Sequence, residues 1–233
     1  MLEPVPQLWL EPLGAPASGE ELLSQEELLS QEERCWGAAL PEPRRRQYWS
    51  SRAALRRRLA ALLDCPPADL PLQSPPGRPP QLGDGAGWLG LSHSGTALLI
   101  AWSPAPIGVD LECADRRLQA RALMTRFFPG LECQQLAGLA QNRLHEAVLR
   151  SWVLKEAAIK WRCRSLAQEL SSWRFDHHGG ELCHGQEGLR PPWRAGLVGR
   201  WRWAAVGAGV EWLQLDAEPA LTRSGRGVGC GDG

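Results

Sequence analysis

With 233 residues, 43% of them apolar, the chain is long enough to bury a sizeable core, as one large domain or two small ones. Its 26 basic and 26 acidic residues cancel, so no overall charge calls for nucleic acid or an anionic membrane, and any electrostatic preference must be local. Cysteines at 35, 65, 113, 133, 163, 183 and 230 form an odd set without a Cys-x-x-Cys pair, which argues against a disulfide framework or a thiolate zinc site and for a reducing compartment. With no signal-like start and no apolar run of about 20 residues, the expectation is a soluble cytoplasmic protein.

In chain order, residues 1–19 hold four prolines and are set apart as an N-terminal arm, beginning like an extended strand or arm around Gln7-Leu8-Trp9-Leu10. A tandem hexapeptide follows: Glu21-Leu22-Leu23-Ser24-Gln25-Glu26, then the same letters from Glu27 to Glu32. A period of six does not match 3.6, so the Leu pairs drift around a helix. Ser30 with Glu33 fits a capping box, and Ser24 with Glu27 is its copy. From Pro43 the composition turns basic, with Arg44, Arg45, Arg46, Arg52, Arg56, Arg57 and Arg58 on a helix whose apolar face carries Ala53, Leu55, Leu59 and Leu62. Such a run is ordinarily a solvated face; the functional alternative is a phosphate patch, because Arg forks match phosphate oxygens.

Residues 65–87 are a Pro- and Gly-rich loop containing Gly77-Arg78-Pro79. Trp88-Leu89-Gly90-Leu91 running into Ser92-His93-Ser94-Gly95, then the apolar run from Ala97 to Trp102, predict two strands about a turn. Pro104 and Pro106 mark the joint between an N-terminal half, residues 20–104, and a C-terminal half, residues 105–216.

The second half opens with Ile107-Gly108-Val109-Asp110-Leu111-Glu112, a strand pattern whose period of two puts Asp110 and Glu112 on one side. Adjacent carboxylates need solvent, a shared proton or a cation, and oxygen-only ligands favour Mg²⁺, above all when a phosphate completes its shell. Helices are expected over Arg116 to Arg126 and near Leu131 to Leu139, where Glu132 opens the second and favours its N-terminal dipole. The uninterrupted pattern from Glu146 to Leu170 predicts a long helix with Glu156 and Lys160 four apart on one face, offering a third carboxylate. Trp173-Arg174-Phe175, Gly199 to Val206 and Val210 to Leu215 read as strands; His177, His178, Cys183 and His184 read as a polar hairpin without metal-ligand spacing. The Gly-rich tail, 217–233, is expected to be flexible.

Gly77-Arg78-Pro79, Ser92-His93-Ser94, Gly108-Val109-Asp110-Leu111-Glu112, Phe127-Phe128 with Glu132, and Trp152-x-x-Lys155-Glu156-Ala157-x-x-Lys160, in that order, resemble the 4'-phosphopantetheinyl transferases of the Sfp-like, surfactin-synthetase-activating branch. The resemblance implies an α+β fold of two similar halves about a pseudo-twofold axis, each a small antiparallel sheet packed on a long helix, with the active site between them. It also implies transfer of the 4'-phosphopantetheine arm of coenzyme A to a serine of an acyl or peptidyl carrier protein, for fatty-acid, polyketide or nonribosomal-peptide synthesis, with release of adenosine 3',5'-bisphosphate.

By the same resemblance, Asp110, Glu112 and Glu156 are the Mg²⁺ set and Lys160 meets the pyrophosphate; Lys155, counted with the coenzyme A contacts, points elsewhere on the helix. Ser92 and His93 meet phosphates, and Arg78 stands where the family commonly has Lys. The 3'-phosphate cation falls within Arg44, Arg45 and Arg46 or at Arg52, and the general base is Glu156 or Glu132. A monomer suffices, with no nucleic acid or membrane partner. The competing class is a non-catalytic module that binds coenzyme A or a carrier protein; intact carboxylates and Lys160 favour the enzyme.

Overall fold

The computed structural model describes residues 4–14, 19–83 and 85–222. β1 (Gln7–Pro12) is followed by α1 (Gly19–Leu28), α2 (Gln31–Ala38) and the long α3 (Arg44–Leu63). The repeated six letters do not fold alike: the first copy lies within α1, while the second runs through the end of α1 into α2, with Ser30 as the break. Ser30 accepts from the Glu33 backbone N–H and the Glu33 carboxylate accepts from the Ser30 N–H, the capping box the spacing predicts.

After α3, whose C-cap Asp64 is left-handed, come the short β2 (Leu72–Gln73) and β3 (Gln81–Leu82), then β4 (Trp88–Ser94), β5 (Ala97–Ser103) and β6 (Ile107–Cys113). Next are α4 (Ala120–Phe127), α5 (Gly130–Leu136), α6 (Gln141–Trp161), α7 (Leu166–Glu169) and the hairpin of β7 (Trp173–Asp176) and β8 (Glu181–His184). β9 (Trp193–Val198), β10 (Trp201–Gly207), a 3-10 turn at Val210–Trp212, β11 (Gln214–Ala217) and α8 (Pro219–Thr222) complete the described chain.

The fold is mixed α+β, with one sheet in the order β11-β1-β5-β4 and another in the order β6-β10-β9. Period-two alternation builds the layers. Leu8, Leu10, Leu99 and Ala101 of the first sheet meet Val109, Leu111, Trp203 and Ala205 of the second in one core. The opposite face of the first sheet, through Trp9, Leu98 and Ile100, packs on Ala54, Leu55 and Leu59 of α3. Ala204 and Val206 of the second sheet pack on Val153, Leu154, Ala157 and Ala158 of α6.

Four expectations change. The stretch read as an arm is, from Gln7 to Pro12, an interior strand, antiparallel to β5 and parallel to β11, so the first sheet is mixed rather than antiparallel. The long helix starts at Gln141 and stops at Trp161, because Cys163 turns to a left-handed φ of 51° and Ser165 opens a separate turn. Val210 to Leu215 splits into a 3-10 turn and a strand that returns to β1. Of the tail, Ala217 is strand and Pro219–Thr222 a short helix; the rest of the Gly-rich stretch lies outside the described residues. The polar hairpin is present, with its tip at residues 177–180.

Candidate active site

β4 and β6 lie side by side, and their two period-two polar patterns mesh. Ser92 donates to Asp110 Oδ1 at 2.8 Å and Ser94 to Glu112 Oε2 at 3.0 Å, the same offset of eighteen residues in each pair. The Leu111 N–H donates to Ser92 Oγ at 3.2 Å, which ties the edge of one sheet to the other. Asp110 and Glu112 therefore project from the second sheet on the face opposite Val109 and Leu111, toward the C-terminal half of α6.

Gly108 sets how near α6 comes. A Cβ there would lie 2.1 Å from the Ala157 carbonyl oxygen and 2.2 Å from the Trp161 nitrogen, so only glycine admits the helix at this depth. That approach brings Glu156 and Lys160, one turn apart, onto the acidic strand. Lys160 Nζ lies 2.6 Å from Asp110 Oδ1, 3.1 Å from Ser92 Oγ and 3.8 Å from Glu156 Oε2. Arg116 pairs with Glu112 from the far side, and its own carbonyl meets His145 Nε2 of α6 at 2.8 Å.

Oxygens of Asp110, Glu112 and Glu156 lie within 4.8 Å of one another. The cluster is short of positive charge. Burial first, then Asp110 and Glu112, push the Glu156 carboxyl up to about 8 against the pull of Lys160. Burial and Asp110 also raise Glu112, despite Arg116. Burial opposes the charge on Lys160, but Asp110, Glu156 and Glu112 together raise its pKa. Asp110 Oδ2 is buried without a hydrogen-bond partner. A buried oxygen without a partner, amid three convergent carboxylates, suits a divalent cation with hard oxygen ligands.

Next to this cluster, and sharing Lys160 with it, opens a cleft of about 1120 Å³ between α3, the 76–91 segment, the start of β6 and the end of α6. Its described lining includes Arg44, Arg52, Arg78, His93, Lys160 and Arg164 and no carboxylate. Burial first, then Lys160 and Arg52, lower the His93 pKa. The cleft suits a polyanion, with the acidic cluster at one end to hold a counter-cation.

Residues 106–205 match a family model described as the 4'-phosphopantetheinyl transferase superfamily. A protein of Synechocystis sp. that carries the provisional name 4'-phosphopantetheinyl transferase is 35% identical over 164 residues, covering 67% of this chain and 64% of that protein. The chain belongs to the 4'-phosphopantetheinyl transferase superfamily. It spans less than two thirds of the Synechocystis relative. The superfamily match covers Asp110, Glu112, Glu156 and Lys160, whereas Arg44, Arg52, Arg78 and His93 precede it.

Sequence reading and structure part company at four side chains. Lys155 does not reach the cleft: it is fully buried, 2.7 Å from Glu132 and over the Phe128 ring. Burial outweighs the opposing pull of Glu132 and lowers its pKa to about 8. Glu132, read as a possible base, is equally buried and accepts from the Phe175 N–H; one helix step of about 100° points its partner Lys155 away from the side that Glu156 faces. Of the three consecutive arginines only Arg44 lines the cleft, because Arg45 and Arg46 are drawn to Glu42. Ser94, Arg116 and Arg164 were not assigned roles from sequence; the matched period of Ser92 and Ser94 with Asp110 and Glu112 was the signal for the first.

Proposed function

We propose that this protein transfers the 4'-phosphopantetheine arm of coenzyme A to a serine of an apo acyl or peptidyl carrier protein, releasing adenosine 3',5'-bisphosphate. The observation that carries the reading is the set of three carboxylates, with an unpartnered Asp110 oxygen, at the end of a cation-lined cleft. Coenzyme A is a polyanion at one end and a neutral arm at the other, which matches a cleft whose charge is concentrated at Arg44, Arg52, Arg78 and Lys160, with His93 beside them as a neutral hydrogen-bonding group.

Asp110, Glu112 and Glu156 would hold Mg²⁺, which when bound neutralises phosphoryl charge. Lys160, fixed by Asp110 and Ser92, places a positive charge where the pyrophosphate would enter. In the reaction the serine oxygen forms a bond to the phosphorus that bears the pantetheine arm, and the pyrophosphate bridging bond breaks. The serine proton passes to Glu156, which reaches the cluster from α6 while Glu132 is sealed off behind it. The two helix-covered sheets are read as halves related by a pseudo-twofold axis, the first completed by β1 and β11 from outside residues 20–104 and the second built within 105–216, with the cleft between them; one chain supplies both walls, which supports a monomer. No described helix is long and apolar enough to cross a membrane.

Intact mass of apo carrier proteins from fatty-acid, polyketide and peptide synthesis, after incubation with the protein, coenzyme A and Mg²⁺, tests the reading. A gain of one phosphopantetheine, lost when the metal is chelated, is expected. No gain on any carrier, with coenzyme A bound, would leave a binding module instead.

A further inference from the structure

The capping-box glutamate at the start of α2 has a second partner set deep in the fold. Glu33 is fully buried. Its Oε2 accepts from Arg56 Nε of α3 at 2.6 Å, and its Oε1 accepts from Ser74 Oγ, also at 2.6 Å, in the loop that follows β2. Arg56 in turn donates to the Pro67 carbonyl, in the 3-10 turn Pro67–Asp69 on the other side of β2. The Ser74 carbonyl accepts from Tyr48 at 2.9 Å and from Arg52 Nε at 3.2 Å, and Tyr48 and Arg52 both line the cleft. Immediately beyond Ser74, the Arg78 N–H closes a turn onto the Pro75 carbonyl, with Gly77 at a φ of 75°, and Arg78 itself faces the cleft.

We propose that Glu33 is a positioning residue for the cation-bearing wall of the cleft: through Arg56 and Ser74 it fixes the segment 67–80, and so sets where Arg78 and Arg52 stand. Glu33, Arg56 and Ser74 do not themselves line the cleft. A buried ion pair is a poor source of net stability, since well-packed apolar side chains commonly do as well. What apolar replacements cannot reproduce is the directional grip on two separate points either side of β2, Pro67 and Ser74. The inference deepens the proposed function, because it takes coenzyme A as the anion that this wall receives.

Two variants test it. Glu33→Gln leaves the Arg56 charge buried and can fail to fold; Glu33→Met with Arg56→Met removes the grip and the charge together and keeps the site apolar. Hydrogen exchange over residues 67–80 is measured without ligand, beside coenzyme A affinity and Mn²⁺ affinity by calorimetry. The double variant is expected to lose protection in 67–80 and to bind coenzyme A about tenfold more weakly, while Mn²⁺ affinity at the carboxylate cluster stays at the wild-type value. Unchanged protection in 67–80, or unchanged coenzyme A affinity despite lost protection, overturns the proposal. If the wild-type protein binds no coenzyme A, the proposed function fails, and the exchange measurement still decides whether Glu33 holds the loop.

Discussion

Two charged clusters occupy opposite sides of α6, from residues that are adjacent in the chain. On one side Lys155 meets Glu132, one charge of each sign, both fully buried. On the other, Glu156 joins Asp110 and Glu112, three carboxylates facing Lys160 and the half-exposed Arg116. The first cluster is matched charge for charge and lies away from the cleft, with His177 3.8 Å from the same carboxylate. The second sets three carboxylates against two cations, so that Glu156 keeps its proton to about 8, and beside it the cleft is lined by arginines with no carboxylate among its described residues. Where the fold pairs its charges they hold elements together; where it leaves them unpaired, they are available to a metal and a polyanionic substrate.

The largest effect that would break this contrast lies on the unbalanced side. Asp110→Ala or Glu156→Ala is expected to leave the thermal transition within a few degrees of wild type while lowering turnover by roughly 10³-fold or more, because the charge neutralisation lost acts in the transition state. A variant with near-normal kcat would show that the cluster is not the reaction centre. On the balanced side the expected effect is on folding. Glu132→Gln leaves Lys155 charged and unpaired in a dry site, which should destabilise by about 3–5 kcal/mol in urea titration, with kcat per folded molecule retained. Undiminished stability with collapsed turnover would make Glu132 the base and invert the comparison.

The same contrast sorts the arginines. Arg46 is exposed and paired with Glu42 at 3.0 Å, whereas Arg78 faces the cleft without an ion-pair partner among the described residues. Arg78→Ala should raise the KM for coenzyme A about tenfold with kcat little changed, the worth of one charge-assisted contact. Arg46→Ala should change neither. Equal effects of the two substitutions would mean that the basic run acts as a diffuse field and not as a built wall.

How much of this was legible beforehand depends on whether the determinant was local. Period two in Ile107–Glu112 was enough to put both acids on one face, and the spacing of Glu156 and Lys160 was enough to join them on a helix, because both rules act within a few residues. The orientation of Lys155 away from Glu156 follows from the same helical phase. What lay beyond reach was tertiary. Nothing around Gln7 to Leu10 says that the strand is interior, since its neighbours β5 and β11 are about 90 and 200 residues away. Gly108 reads as one more glycine in a strand until α6 is laid across it. Arg45 and Arg46, by contrast, stand three and four residues after Glu42, a local pairing that separates them from Arg44. Cys163 ended the long helix without a Gly or Pro to announce it.

The smallest expected effect concerns a carboxylate held mainly by hydrogen bonds, with Arg174 at 3.9 Å as its ion-pair partner. Asp176, at the end of β7, accepts from Gln135 Nε2 at 2.7 Å and from the backbone N–H groups of His178 at 3.0 Å and Gly179 at 3.2 Å. The Gln135 bond first, then those N–H groups, lower its pKa from 3.8 to about 2. A carboxylate with a depressed folded pKa contributes stability that is fully present above its unfolded value and is lost as pH falls through the folded one. The window is therefore between about 4 and 2, and the hairpin tip at 177–180 should lose hydrogen-exchange protection there. Asp176→Asn should remove that pH dependence while leaving the rest of the exchange pattern, and turnover near neutrality, unchanged. If the tip loosened equally in the variant over the same range, the acid sensitivity would belong to another group, and the charge that Asp176 carries would have no part in holding the hairpin.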